Sequence, residues 1–326
     1  MRLPVLGLAA LMLAPAVAAQ EFAPALLFDM GGKFDKSFNE AAYNGAEKFK
    51  RDTGIAYRDF EVSSEAQREQ AVRNMARRGS TIVVCVGFSM ATPLEKVAKE
   101  FPNVKFTLID SVVDLPNVQS VVYREHEGSF LVGMLAAMAS KTGKVGFVGG
   151  MDIPLIRKFA LGYVEGAKYV NPQAEVIQNM TGTTPAAWAD PTKGAELARS
   201  QFARGADVVY AAAGSTGLGV LQAAKDGAKF AIGVDSNQNY LHPGTMLTSM
   251  IKRVDLAVEN AFKTARDGTW KAGVTSLGVK EDGVGYALDQ FNQALITEDM
   301  KKKVDAARQA IIAGSLKVTD YMQQPK

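Results

Sequence analysis

Cysteine, histidine and long apolar runs are what this 326-residue chain has least of. The single cysteine, Cys85, lies within Thr81-Ile82-Val83-Val84-Cys85-Val86 and reads as inert strand core, which excludes a disulfide scaffold or a cysteine metal cluster. The two histidines, His126 and His242, fall short of a zinc ligand set unless carboxylates complete it, and neither is paired with a nucleophile. Past the amino terminus, no segment offers the roughly 18 uninterrupted apolar residues that a membrane span requires. The longest run, Phe130 to Ala139, is broken by Gly133 and bounded by Glu127 and Lys141, so it reads as a buried helix. An excess of one charge is missing too. The 37 Lys and Arg residues and 34 Asp and Glu residues are interspersed, and a net charge of +3 gives no concentrated basic face for nucleic acid. No cofactor and no metal are expected.

What is present begins with an address. Met1 and Arg2 precede the mostly apolar Leu3 to Ala14, and Ala16-Val17-Ala18-Ala19 supplies a small-residue cleavage site, the pattern of a secretory signal peptide over residues 1–19. No cysteine stands at that boundary to carry a lipid, so the mature protein is expected to be free in a periplasm, not inserted in a membrane, and monomeric. Removing the leader leaves on the order of 305 residues, enough for two domains of ordinary size.

Strand and helix patterns alternate along that length. Strands are predicted at 25–28, 81–86, 106–109, 118–123, 144–148, 176–180, 208–212, 230–234 and 246–250. Helices are predicted at 40–51, 65–78, 93–100, 128–141, 156–170, 193–204, 218–226, 254–267 and 297–313. Nine of each predict an α/β fold of two lobes, each a mostly parallel sheet covered by helices.

The segment Ala25 to Glu40 carries the strongest functional signal. An apolar strand ends at Asp29, Gly31 and Gly32 allow a tight turn, and Ser37 with Glu40 has the spacing of a capping box. Asp35 and Lys36 read as solvated residues of the helix's first turn. Phe38 can be a staple under the loop or a stacking platform, and Asn39 stands beside it. The loop has neither the G-x-G-x-x-G order nor a Walker lysine, so it is no phosphate cradle. Other strands finish in small or acidic residues as well: Gly87, Asp110, Gly149 with Gly150, Gly214 and Asp235. Strand ends of parallel sheets converge on one edge, and two facing edges form a cleft that can close on a small ligand.

The segments FDMGGKFDKSFNE, VGGMDIPLIRKFALGYVEGAKYVNP, AAAGSTGLGVLQAAK, IGVDSNQ and LTSMIKRVDLAV resemble, in order and over nearly the whole mature chain, the basic membrane protein family of ABC transporter substrate-binding proteins. The best-known members of that family are purine-nucleoside receptors. The resemblance implies a type I periplasmic-binding-protein fold whose lobes, joined by crossover strands, close on a ligand and present it to an ABC permease. The expected lobes are residues 20–124 with 252–277 and residues 125–251 with 278–326. It further implies that Asp29 and Asp110 accept hydrogen bonds from the base, that Phe38 stacks on it, and that Asp235 and Lys252 hold the ribose hydroxyls. Trp188 and Tyr210 are both candidates for a second stacking ring, and Asn39 and Gly214 for further contacts. Three aspartates with one lysine disfavour phosphate, so nucleosides fit better than nucleotides.

Two other readings compete. Asp29 and Asp110 could act as acid and base of a hydrolase acting on a nucleoside, although no aspartate cluster suits a catalytic cation. A sugar-sensing transcription regulator shares the two-lobe architecture, but would need a DNA-binding module where this chain has an export signal.

Overall fold

The computed structural model describes residues 21–324. The leader assigned to residues 1–19 lies outside them. The first part of the chain runs β1 (Pro24–Phe28), α1 (Phe38–Thr53), β2 (Arg58–Glu61), α2 (Gln67–Arg77), β3 (Ile82–Val86), α3 (Ala91–Glu100), β4 (Lys105–Ile109) and β5 (Val118–Tyr123). The second part runs α4 (Glu125–Ala139), β6 (Lys144–Met151), α5 (Pro154–Val170), β7 (Glu175–Gly182), α6 (Pro191–Ala203), β8 (Val208–Ala212), α7 (Thr216–Asp226), β9 (Phe230–Asp235) and β10 (Met246–Lys252). Then come α8 (Val254–Arg266), β11 (Gly273–Leu277), β12 (Val284–Tyr286) and α9 (Glu298–Ile312).

These strands make two six-stranded sheets, ordered β11-β5-β4-β3-β1-β2 and β12-β10-β9-β8-β6-β7. Every pairing is parallel except β10 with β12. Both sheets are buried on both faces, which explains why their central strands read as continuous apolar runs. In β3, Ile82, Val84 and Val86 face the cluster under α1 and α8, while Val83 and Cys85 face the one under α2 and α3. In β8, Val208, Tyr210 and Ala212 face α4 and α5, and Val209 and Ala211 face α6 and α7. Cys85 is buried and free, and burial pushes its thiol far above its ordinary range.

Three strands were absent from the sequence reading, and all three are edges. Arg58–Glu61 is exposed at every position, Gly273–Leu277 is exposed at all but its last, and Val284–Tyr286 has only three residues. These three lack the apolar period that reveals a central strand, whereas the fourth edge, β7, is predicted at 176–180. No helix among the described residues is long and apolar enough to cross a membrane. The run Phe130 to Ala139 is indeed buried helix, the larger part of α4.

The chain passes from the first sheet to the second after β5, returns after β10 through α8, which packs on α1, and crosses again between β11 and β12. These connections meet at one place. Arg124 donates its N–H to Leu277 O at 2.8 Å, Arg253 donates its own to Gly283 O at 2.8 Å, and the Tyr123 hydroxyl donates to Arg253 O at 3.1 Å.

Beside the crossovers, α4 and α5 pack so closely that three glycines are obligatory. A Cβ on Gly133 would come 2.3 Å from Tyr163 O, one on Gly162 2.3 Å from His126 O, and one on Gly166 1.9 Å from Phe130 O. The obstructing atoms are backbone, so the helices themselves would have to part. Gly166→Val is therefore expected to cost at least the 1–3 kcal/mol typical of an overpacked core. Urea unfolding measures it, and a wild-type midpoint would refute the packing argument.

Candidate functional site

The strand orders locate the site before any side chain is considered. In each sheet the order turns back between two strands, β1 and β3 in the first, β6 and β8 in the second, and a crevice opens outside the carboxyl ends at such a point. The two crevices face each other. Between them lies a cavity that encloses about 650 Å³ of space, counting the part open to solvent.

The first sheet contributes Asp29 at the end of β1. Its Oδ1 takes Arg68 Nε at 3.1 Å, its Oδ2 accepts from Ser89 Oγ, and Gly87 at the end of β3 closes over it. A Cβ on Gly87 would stand 2.8 Å from Asp29 Oδ2, and φ there is +105°, so only glycine fits. Asn39 ties the loop together by donating Nδ2 to Asp29 O at 3.0 Å and to Gly32 O at 3.1 Å. Its Oδ1 is buried without a partner. Phe38, the first residue of α1, sets its ring in the cavity wall.

The start of α1 differs from the capping box that its sequence suggests. Ser37 makes no side-chain cap, and Asp35 caps instead: Oδ1 accepts from Ser37 N at 2.8 Å and Glu40 N at 3.1 Å, and Oδ2 from Asn39 N at 3.1 Å. Asp35 is buried and lines the cavity, not solvated. Burial pushes its carboxyl up to about 7, against the pull of those three N–H groups, and Asp235 adds to the rise. Ser37 is thereby freed to reach the other lobe, where its hydroxyl donates to Asp235 Oδ2 at 2.5 Å. Ser236 Oγ donates to Ser37 O at 2.8 Å and Gln238 Nε2 to Lys36 O at 3.0 Å, completing a seam between the lobes.

The second sheet contributes Asp235, Gly214 and Trp188. Trp188 ends a short turn of helix, Pro185–Trp188, that is pinned by Thr181 Oγ1 and Thr216 Oγ1, donating to Ala187 O at 3.0 and 2.8 Å. Its indole lies on Gly150, where a Cβ would come 2.2 Å from the ring, and its Cβ approaches Gly31 of the opposite loop. Leu155, Ile156 and Phe159, on the first turns of α5, complete the apolar wall. Sequence reasoning gave these three no role, although Leu155 and Phe159 have the i, i+4 spacing of one helix face.

At the centre is Lys252, buried at the end of β10. Its Nζ lies 2.6 Å from Asp110 Oδ2 and 3.0 Å from Glu125 Oε1, over the rings of Tyr123 and Phe38 at 4.9 and 5.0 Å. Burial lowers the ammonium's affinity for its proton, but Asp110, Glu125 and Asp235 together outweigh it and hold the group above the ordinary lysine range. Asp110 and Asp235 are both raised, chiefly by burial, with Lys252 opposing. Both aspartates have positive φ, 71° and 63°, in the left-handed region that aspartate tolerates better than most side chains. Asp110 Oδ1, like Asn39 Oδ1, is buried without a partner.

Asp29, Phe38, Asn39, Asp110, Trp188, Gly214, Asp235 and Lys252 thus share one cavity. Tyr210 does not. It sits in mid-strand on the α4 and α5 side of β8, fully buried, with its ring 5.4 Å from that of Phe147 and 5.2 Å from that of Tyr163. It is core and not a stacking platform, which leaves Trp188 as the second-lobe aromatic of that pair. Among the described residues, no group of histidine, cysteine and carboxylate side chains could hold a metal ion.

Comparison with known proteins gives this geometry a context. Residues 23–320 match the model of a family described as ABC transporter substrate-binding protein, PnrA-like. The chain is 38% identical over 278 residues to an uncharacterized lipoprotein of Pyrococcus horikoshii, covering 80% of this chain and 68% of that one. It is 31% identical over 317 residues to the ABC transporter nucleoside-binding protein BmpA of Lactococcus lactis, covering 90% and 88%. Among solved structures, an ABC transporter solute-binding protein of Aeropyrum pernix superposes with a TM-score of 0.83 at 32% identity, covering 92% and 93%.

Two outcomes follow from the geometry. Asp35 holds a proton in the folded chain over a range, from about pH 4 to about 7, in which the unfolded chain has released it, so its contribution to stability is lost as pH rises through that window. The stability of wild type minus that of Asp35→Asn should fall by ~4 kcal/mol between pH 4 and 8, the equivalent of a carboxyl moved from 3.8 to about 7. A flat difference would contradict the burial argument. The second concerns fluorescence: Trp188 lines the cavity, whereas Trp270 Nε1 donates to Thr107 Oγ1, at 3.3 Å, in the first lobe. A bound ligand should change the emission of Trp270→Phe and leave that of Trp188→Phe unaltered.

Proposed function

The chain belongs to the family of PnrA-like ABC transporter substrate-binding proteins, and on that premise we propose that it captures a purine nucleoside, or a related heterocyclic nucleoside, between its lobes and delivers it to an ABC permease. The observation that carries this reading is the pair of unpartnered buried acceptors, Asp110 Oδ1 and Asn39 Oδ1, on residues that share the cavity lining with Phe38 and Trp188. A buried acceptor left without a donor costs about 1–3 kcal/mol, so the cavity favours a ligand that brings N–H groups. The aromatic rings favour one that brings a flat face. A heterocyclic base has both.

In this reading Asp29 and Asp110 face the base, Phe38 and Trp188 flank it, and Asp235 and Lys252 take the ribose hydroxyls. Asp29 is the most constrained of these, because Arg68 and Ser89 already occupy its oxygens. The lobes that close are residues 20–124 with 252–277 and residues 125–251 with 278–326, working in the periplasm. The nucleoside-binding relative from Lactococcus lactis supports the ligand class.

A hydrolase remains the second reading, since a raised carboxyl such as that of Asp110 is what a general acid needs. The close hold of Lys252 on that carboxyl opposes it. Incubation with inosine should release no free hypoxanthine, and turnover would overturn the receptor reading.

Thermal stabilisation across nucleosides, free bases, nucleotides, flavins and sugars tests the ligand class. Nucleosides alone should stabilise the protein, by about 2.7 kcal/mol at a hundredfold excess over Kd. Asp235→Ala should abolish that shift while leaving the ligand-free protein folded. A full shift in this variant would remove Asp235 from the site.

A further inference from the structure

Two charged residues that do not line the cavity are built into its back wall. Glu125, the first residue of α4, is fully buried between two ammonium groups: Lys158 Nζ donates to Oε2 at 3.0 Å, and Lys252 Nζ stands 3.0 Å from Oε1 as an ion pair without hydrogen-bond geometry. Lys158, on α5, also donates to Tyr123 O at 2.8 Å. With Asp110 Oδ2 at 2.6 Å from Lys252 and Asp320 Oδ2 at 3.9 Å from Lys158, the charges alternate as Asp110, Lys252, Glu125, Lys158, Asp320 from the cavity inward. Lys252 is the one cationic side chain in the cavity wall among the described residues.

We infer that Glu125 sets the charge selectivity of the site: by holding Lys252 from behind, it occupies the ammonium that an anionic ligand would need. The inference rests on the nucleoside reading and deepens it. A lysine bonded to Asp110 alone would form a neutral pair, and its remaining N–H groups would be available to a phosphate. With Glu125 as second partner and Asp235 in its field, Lys252 faces three carboxylates. Asp110 Oδ1 is a buried acceptor without a partner on a residue of the wall, and three carboxylates against one ammonium leave that wall with negative potential. In a buried site such a difference of one charge is only weakly screened, and a like charge on the ligand is rejected.

The burial of a second ion pair fits this role better than a structural one. A well-packed apolar pair in place of Glu125 and Lys158 would avoid the desolvation of two more ions and would support α4 and α5 equally well. Lys252 does most to keep Glu125 ionised and Lys158 adds to it: burial alone would raise that carboxyl, and the two ammonium groups bring it below its ordinary range.

The two members of the pair therefore have opposite effects on the wall, and this gives the test. Affinities for inosine and inosine 5′-monophosphate are measured by calorimetry, at one pH and ionic strength, for wild type, Glu125→Gln, Lys158→Met and the double variant. Wild type should prefer the nucleoside at least a hundredfold. Glu125→Gln should narrow that preference at least tenfold, with the gain in monophosphate binding diminishing as salt is added. Lys158→Met, which leaves Glu125 to Lys252 and Asp110, should keep the preference or widen it. The double variant buries neither charge, is expected to fold even where Glu125→Gln does not, and should behave as Glu125→Gln does. Glu125→Gln and Lys158→Met shifting the preference in the same direction would mark the pair as scaffold and overturn the inference. So would monophosphate rejection as complete in the double variant as in wild type, since exclusion would then be steric. Wild type that binds no nucleoside would overturn the proposed function and this inference together, whereas binding without the divergence would overturn the inference alone.

Discussion

The rest of the structure is arranged around one ammonium group. Lys252 Nζ is hydrogen-bonded to Asp110, at the end of a strand in the first sheet, and ion-paired with Glu125, in the crossover that follows β5; Lys252 itself opens the crossover that follows β10. Two lobes and two of their connections therefore meet at a single charge that is 2% exposed. Taking such a group out of water is costly, and the cost is offset only while both carboxylates stay in place. Loss of one partner from a buried pair typically costs 3–5 kcal/mol. The position of each lobe at the hinge is thus fixed by a condition that tolerates little displacement, and the cavity forms beside it because Asp110, which the lysine binds, is a strand end.

Those strand ends carry a second constraint. Asp110 and Asp235 hold left-handed backbone conformations at equivalent places in the two sheets, each just where the chain leaves the sheet edge. Strain of this kind is kept where it serves to aim a side chain. Here both carboxylates are brought towards Lys252 and the cavity, and burial raises both. Glycine would have adopted the same backbone with less strain, but without the carboxylate there would be nothing to aim.

The sequence disclosed most where burial imposes a period. Central strands such as Ile82–Val86 and Val208–Ala212 are apolar because both faces are covered, and the nine α-helices among the described residues lie near their predicted ends. Edge strands such as Arg58–Glu61 carry no such period and were invisible. The strand-end aspartates of the site, Asp29, Asp110 and Asp235, were legible because strand ends converge in any parallel sheet, whereas Asp35 was not. The roles within the first turn of α1 were not. Ser37 and Glu40 have capping-box spacing, yet Asp35 is two residues nearer the loop and takes the N–H groups, which releases the serine hydroxyl to Asp235 almost two hundred positions away. Local spacing cannot reveal a competitor that depends on where the other lobe lies. Tyr210 was misplaced for a related reason: alternation along β8 assigns it a face, but only the packing of Phe147 and Tyr163 shows that this face is core.

Away from the hinge, the seam between the lobes is held by polar contacts. Ser37 to Asp235, Ser236 to Ser37 O and Gln238 to Lys36 O are hydrogen bonds whose groups water can satisfy equally well when they part. Each contributes a net ~0.5–1.5 kcal/mol at most. Closing this seam also brings Asp235 towards Asp35, which costs energy as both ionise. The seam alone is therefore close to balanced, in contrast to the ionic clamp at the crossovers. A receptor needs that asymmetry: a hinge that stays fixed, and a mouth whose closure is decided by what the ligand buries. Were the seam apolar, the lobes would stay shut without a ligand; were the clamp polar but uncharged, they would lose their register on opening.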